Sequence, residues 1–440
     1  MAFPSLPVSI PLVLLAASLA ACSSSKSNPG TAGTDDAGAD AAPSPVPDAA
    51  ADADAAPPDI PEPTYGGVVE PGCQVDGCIH AFTGNAKYTK PVLVGNAAPG
   101  FTVLNGVDQY NITYYSDGRE ITGSVFVPDT TPPADGFGVV VMNQFTSGIG
   151  ASCAPSAGLL SLGVASAAAL SGFITLVPDG TSYGAAPYGG YMLAKIAGRA
   201  ALDGARAALH LDVKPIAQRV VIAGLSQGAF STMAAATELP GYAPHLAVRG
   251  FAAAEPPSNL ATGFQAGAVA DQTNIVYDAM RLYSWQGALN LSGGQIFRPP
   301  YDTNAPMWFA SACIYNGVDG SGGTLYDDFP TNASSVLSDA FLGYAKGNTW
   351  PDDWAAVYAA SANIPKGLTQ PVLVFEGSDD VTVLPANAAA YVQQLQAAGV
   401  NVDFRQIPGG THGTTALSSF TAQQVANDQA VAWITTQLAN

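Results

Sequence analysis

Residues 219–233, RVVIAGLSQGAFSTM, constrain the fold more than any other stretch: a β-branched strand runs into Gly224-Leu225-Ser226-Gln227-Gly228 and then directly into a helix. A serine hydroxyl is a weak nucleophile unless a sharp, strained strand-to-helix turn holds it clear of a sheet, within reach of a base. Glycines two before and two after the serine suit that turn, because a Cβ at Gly224 or Gly228 would collide where strand and helix close on one another. The helix start behind Ser226 leaves N–H groups free to bind a developing oxyanion. A glycine-rich turn whose serine merely caps the helix is the plainer reading; the strand and helix on either side weigh against it.

At 440 residues the chain is long for one ordinary core and fits a core domain with an insertion. Fifteen basic against 34 acidic residues give a net charge of −19, which argues against a nucleic-acid partner and against attraction to anionic lipid. Part of that charge is local, since residues 22–67 hold eight acidic residues and one lysine. Residues 22–66 are Ala, Asp and Pro with almost no large apolar side chain, so nothing there offsets the entropy of ordering, and a disordered tether is expected.

Residues 10–21, IPLVLLAASLAA, form an apolar run shorter than the ~20 residues of a membrane-spanning helix, and 1–21 read as a signal peptide. Leu19-Ala20-Ala21-Cys22 resembles the lipobox of bacterial lipoproteins. That resemblance implies that Cys22 is acylated and anchors the chain to a membrane, and Ser23 in place of Asp implies the outer membrane. An ordinary signal peptide ending in a cysteine is the alternative, and it leaves the protein periplasmic or secreted. Setting Cys22 aside leaves Cys73, Cys78, Cys153 and Cys313, an even number suited to two disulfides in an oxidising compartment, with three possible pairings. Zinc is a poor alternative, because only His80, two residues after Cys78, stands at ligand spacing.

From residue 101 the pattern changes. Residues 110–115 and 121–127 flank the turn Ser116-Asp117-Gly118-Arg119 and predict an antiparallel hairpin. Strand-like runs follow at 139–142, 173–177, 220–223, 248–254, 372–375 and 402–406, most of them apolar, and are read as strands buried on both faces of a parallel sheet. Amphipathic helices are expected over 191–209, 386–398 and 422–438. The predicted fold class is α/β, with ligands bound at the C-terminal ends of the strands. Residues 259–366 break the alternation, yet hold 16 of the 39 aromatic residues, including Trp285, Trp308, Trp350 and Trp354. So aromatic a stretch predicts a mostly helical cap over the site, between core segments 67–258 and 367–440, with some aromatics facing the pocket and the others forming the cap's own core.

A serine on such a turn needs a base, and the base an orienting carboxylate, in the chain order Ser, Asp or Glu, His. Of four histidines, His80 and His210 precede Ser226 and His245 lies before the next strand; only His412, in Pro408-Gly409-Gly410-Thr411-His412-Gly413, follows a late strand. Glu376, Asp379 and Asp380 lie just beyond the 372–375 run. Asp380 has the spacing such loops show, Asp379 is the runner-up, and Glu376 sits too near the strand end. One oxyanion donor is expected at the Gln227 N–H, the other in the loop holding Gln144-Phe145-Thr146.

Beyond the general α/β-hydrolase pattern, the chain resembles the secretory lipases. The likeness rests on SCAPS at 152–156, VPDGTSYG at 177–184, LDGARAA at 202–208, GLSQG, YAPHLAVRGFAAAEPPSNL at 242–260, and the Asp380 and His412 loops. It implies an α/β-hydrolase fold, a mostly parallel central sheet with flanking helices and a large helical cap insertion. It further implies a Ser226, Asp380, His412 triad and pairing of Cys153 with Cys313, which leaves Cys73 with Cys78. Where many members have His-Gly-Thr this chain has Gln144-Phe145-Thr146, and the second oxyanion donor carries over to the Thr146 N–H. Asp203 and Arg206 are read as structural. The expectation is an exported serine ester hydrolase acting on a small-molecule or lipid ester, with no metal or organic cofactor. A serine peptidase or amidase of the same fold, and a surface binding module without turnover, are the alternatives.

Overall fold

The structure, a computed structural model, describes residues 60–88, 92–93, 103–104, 106–157, 172–183, 189–271, 275–314, 325–412 and 422–439. The signal peptide, Cys22 and most of the tether lie outside the described residues.

The chain opens with β1 (Ile79–Tyr88), the short pair β2 (Val92–Leu93) and β3 (Val103–Leu104), and the hairpin β4 (Val107–Ser116) and β5 (Arg119–Pro128). Asp117 and Gly118, both at positive φ, form the two-residue turn of that hairpin, and Ser116 pairs with Arg119. Strands β6 (Phe137–Asn143), β7 (Ile174–Pro178), β8 (Ile216–Leu225), β9 (Val248–Ala254), β10 (Val372–Gly377) and β11 (Val402–Ile407) complete a nine-stranded sheet ordered β1-β4-β5-β7-β6-β8-β9-β10-β11. The edge from β1 to β7 pairs antiparallel and the remaining strands pair parallel. Each of these predicted runs lies on one of the parallel strands, but 402–406 is not buried on both faces: β11 is the edge strand, with Asp403 and Gln406 exposed. β1 carries no such run: its sequence, IHAFTGNAKY, is a bulged edge strand held by pairing with β4.

Both faces of the sheet are covered, which is why its inner strands are apolar throughout. Helices α1 (Ala194–Leu209), α2 (Gln227–Tyr242) and α10 (Pro385–Ala397) pack on one face through Leu202, Met233 and Tyr391. Helix α11 (Ala422–Ala439) packs Trp433, Ile434 and Leu438 on the other, against Val140, Val221 and Leu373. Between β9 and β10 lie α3 (Leu260–Ala270), α4 (Ile275–Leu289), α5 (Tyr301–Ser311), α6 (Leu325–Asp328), α7 (Ala333–Val336), α8 (Asp339–Gly347) and α9 (Asp352–Ala360). They share one apolar cluster in which Trp285 and Trp354 are fully buried, and that cluster takes in Tyr191, Met192 and Phe230 of the sheet domain. Those two tryptophans therefore serve the packing of the inserted segment.

Asp203 and Arg206 on α1 are structural. Arg206 bonds Asp203 at 2.7 Å and Glu62 at 2.8 Å, while Ser116 donates to Asp203 at 2.6 Å, so the buried pair ties the 60–78 segment to helix and hairpin. Cys73 is disulfide-bonded to Cys78 in that segment. Among the described residues no helix is long and apolar enough to cross a membrane.

Candidate active site

Four adjacent parallel strands, β8 to β11, bring the candidate residues together at their C-terminal ends. Ser226 follows β8 with φ 52 and ψ −118, a strained conformation for a non-glycine residue, and α2 starts at the next position. The strain is maintained by crowding. A Cβ on Gly224 would stand 2.2 Å from the Gly228 carbonyl oxygen, and one on Gly228 would stand 2.0 Å from that of Asn143. The Ser226 N–H donates to the Ala254 carbonyl at 2.9 Å, which fastens the turn to β9.

His412 follows β11 and places Nε2 3.0 Å from Ser226 Oγ and Nδ1 2.8 Å from Asp380 Oδ2. Asp380, in the loop after β10, is buried, and its Oδ1 accepts the N–H groups of Thr382 at 2.7 Å and Val383 at 2.9 Å. Its own loop thus fixes the carboxylate. The two loops are also laced together, with the Asp379 N–H on the Gly410 carbonyl and the Gly409 N–H on Ser378 Oγ, both at 2.8 Å. The structure brings Ser226, His412 and Asp380 into one relay; the Asp379 carboxylate bonds Ser378 instead.

Two further carboxyls lie here, and sequence reasoning gave neither a role. Glu255, the residue after β9, is fully buried with Oε2 3.2 Å from His412 Nδ1. Glu376 on β10 is fully buried beside Asp380 and Glu255. Burial first, then the charges of Asp380 and Glu255, push Glu376 up to about 9, so it carries its proton at neutral pH. Burial pulls His412 down, but the Asp380 hydrogen bond and the charges of Glu255 and Asp380 outweigh it, so the ring holds a proton more tightly than free histidine. A carboxylate directly after a buried strand was the available signal for Glu255.

Ligand atoms of Glu255, Asp380 and His412 lie within 4.8 Å of one another. We read the trio as an imidazole held by carboxylates rather than a metal centre, because an Nδ1 that carries the proton of the Asp380 hydrogen bond offers no lone pair to a metal.

Gln227 is the first residue of α2, where a helix leaves N–H groups unpaired; its side chain donates to Ser182 Oγ at 2.6 Å. Thr146 lies in the loop after β6, whose first residues press on Gly228, and its hydroxyl is 2.9 Å from that of Tyr191. The same loop continues to Cys153, whose disulfide with Cys313 joins it to the segment beyond α5, while the Ile314 N–H donates to the Ser147 carbonyl at 2.8 Å. The quoted motifs find their partners here: Asp179 of VPDG accepts the backbone N–H of Ser156 of SCAPS at 2.7 Å and its hydroxyl at 2.5 Å.

Residues 161–274 match the family described as Secretory lipase, and residues 331–440 match the Prolyl oligopeptidase family. A comparison with curated proteins finds no match. Among solved structures, a protein of Legionella pneumophila described as a hydrolase superposes with a TM-score of 0.68 at 19% identity, covering 82% of this chain and 98% of that one. The rice cell wall degrading esterase LipA from Xanthomonas oryzae superposes with a TM-score of 0.63 at 18% identity, covering 81% and 97%. Candida antarctica lipase A gives 0.57 at 16% identity, covering 83% and 90%. At these identities the structural matches establish the fold. The chain has the α/β-hydrolase fold, its residues 161–274 match the secretory lipase family, and carboxylic-ester hydrolysis is the activity this match supports.

Proposed function

We propose that the protein is an exported serine carboxylic-ester hydrolase working through an acyl-enzyme, with Ser226, His412 and Asp380 as its catalytic triad. The observation that carries this reading is the continuous relay from Ser226 Oγ to His412 Nε2 and from His412 Nδ1 to Asp380. As Ser226 attacks the ester carbonyl, its proton passes to Nε2; Asp380 keeps the ring in the Nδ1–H tautomer and stabilises the imidazolium. The Gln227 and Thr146 N–H groups receive the oxyanion, the alcohol leaves with the proton from Nε2, and water repeats the sequence on the acyl-enzyme. The 259–366 segment acts as the cap that offers apolar surface to the acyl chain, and Cys22 is the lipid anchor at the outer membrane.

The Prolyl oligopeptidase match over the Asp380 and His412 loops favours one second reading, amide or peptide cleavage by the same relay. Turnover of p-nitrophenyl esters from acetate to palmitate against matched p-nitroanilides separates the two. The ester reading expects rapid ester cleavage and negligible anilide cleavage; the opposite preference overturns it.

A further inference from the structure

Glu255 occupies a position that packing alone does not account for. It is fully buried, where a carboxylate is kept only if partners hold it, and His412 is one of them. Its backbone is left-handed at φ 54 in a residue that is not glycine, a conformation costing on the order of 1–3 kcal/mol and kept mainly where a side chain has to be aimed. Its N–H donates to the Phe375 carbonyl of β10 at 2.8 Å, and the preceding Ala254 carbonyl holds the Ser226 N–H. Glu255 is therefore fixed to the strand that carries the nucleophile and to the strand that carries Asp380. From there its Oε2 reaches within 3.2 Å of the nitrogen that donates to Asp380.

We propose that Glu255 is a second positioning carboxylate for His412: it faces Nδ1–H together with Asp380, stabilises the imidazolium formed as Ser226 attacks, and can hold Nδ1–H when Asp380 cannot. The inference rests on the ester-hydrolase reading. Nδ1 keeps its proton throughout, and none passes to Glu255. Among the described residues, Ser226, Asp380 and Glu255 face the ring, and Glu376 lies beside Asp380 and Glu255; the Asp379 carboxylate turns to Ser378. Because Glu376 is neutral at neutral pH, two negative charges rather than three oppose the imidazolium. The charge of Glu255 is among the forces that raise the His412 pKa, so removing it lowers that pKa and keeps the base neutral to lower pH.

The test compares Glu255→Gln, Asp380→Asn and the double variant with the wild type, following kcat/KM for p-nitrophenyl butyrate against pH, with active sites counted by a fluorophosphonate. Glu255→Gln should move the acid limb to lower pH and lower kcat about tenfold with KM little changed, a split that general loosening of the site does not produce. With Glu255 present, Asp380→Asn should cost about 10² to 10³ in kcat rather than the roughly 10⁴ of a lone carboxylate, and adding Glu255→Gln should restore the full loss. An acid limb that stays in place overturns the proposal. Should the Glu255→Gln variant fail to fold, Asp380→Asn decides alone: a full loss of about 10⁴ overturns it, and a smaller one supports it. A wild type that neither cleaves esters nor reacts with the fluorophosphonate defeats the parent reading instead.

Discussion

Ser226 Oγ stands 3.0 Å from His412 Nε2 although 186 residues separate them in sequence. The approach follows from strand order: the nucleophile leaves β8, the histidine leaves β11, and the two strands between them end in Glu255 and the Asp380 loop.

The two neighbouring aspartates separate cleanly. Asp380 holds His412 Nδ1 and two backbone N–H groups, while the Asp379 carboxylate bonds Ser378. Asp380→Asn should lower kcat by about 10² to 10³ and Asp379→Asn by no more than about twofold, read from kcat per titrated site. The reverse ranking would move the orienting role to Asp379.

Close approach at the nucleophile turn predicts a backbone effect. Gly228→Ala would place a methyl 2.0 Å from the Asn143 carbonyl oxygen, and both backbones must shift. A loss of about 1–3 kcal/mol in unfolding free energy and on the order of 10² in kcat is expected, measured by denaturant titration and ester assay. Gly343→Ala, on α8 with open space around it, should leave stability equal or up to about 1 kcal/mol higher. Equal behaviour of the two variants contradicts the packing argument.

These relationships also mark how far the sequence carries. GLSQG, the Asp-Gly turn and the apolar runs are legible because they are local: a tight turn or a twice-buried strand imposes its composition on a few consecutive residues. His412 and Asp380 follow from chain order. Strand β1 was not legible, since IHAFTGNAKY has no apolar run and becomes a strand through its pairing with β4. Glu255 was hidden for another reason: the chain-order rule places the acid late, and what brings this side chain to His412 is the adjacency of β9 and β10. The contact between Thr146 and Tyr191 is tertiary in the same way.

The disulfide of Cys153 with Cys313 spans a sequence separation of 160 residues and ties the loop after β6 to the inserted segment. Loop-closure entropy gives it about 5 kcal/mol, an upper figure. Cys313→Ser should lower stability by up to that amount and depress turnover of p-nitrophenyl palmitate more than of the acetate, since the longer chain needs the apolar wall. Equal losses on both esters would detach the cap from acyl recognition.

Glu376 predicts a pH-dependent gain. Its folded pKa, about 9, lies above the ordinary 4.5, so the stability linked to its proton is full below about 4.5 and is lost as pH rises toward 9. Glu376→Gln removes that loss. The variant should melt roughly 2–4 °C above the wild type at pH 8 with a smaller difference at pH 5. A larger gain at pH 5 would contradict the assignment of a neutral carboxyl.

The most direct measurement of the central claim is covalent labelling. Purified protein treated with a fluorophosphonate, digested and mapped should carry one equivalent of label, on the peptide containing Ser226. Ser226→Ala should take no label and lose on the order of 10⁶ in kcat while keeping the wild-type circular dichroism. Label on another residue, or ester hydrolysis by Ser226→Ala near the wild-type rate, would contradict the account.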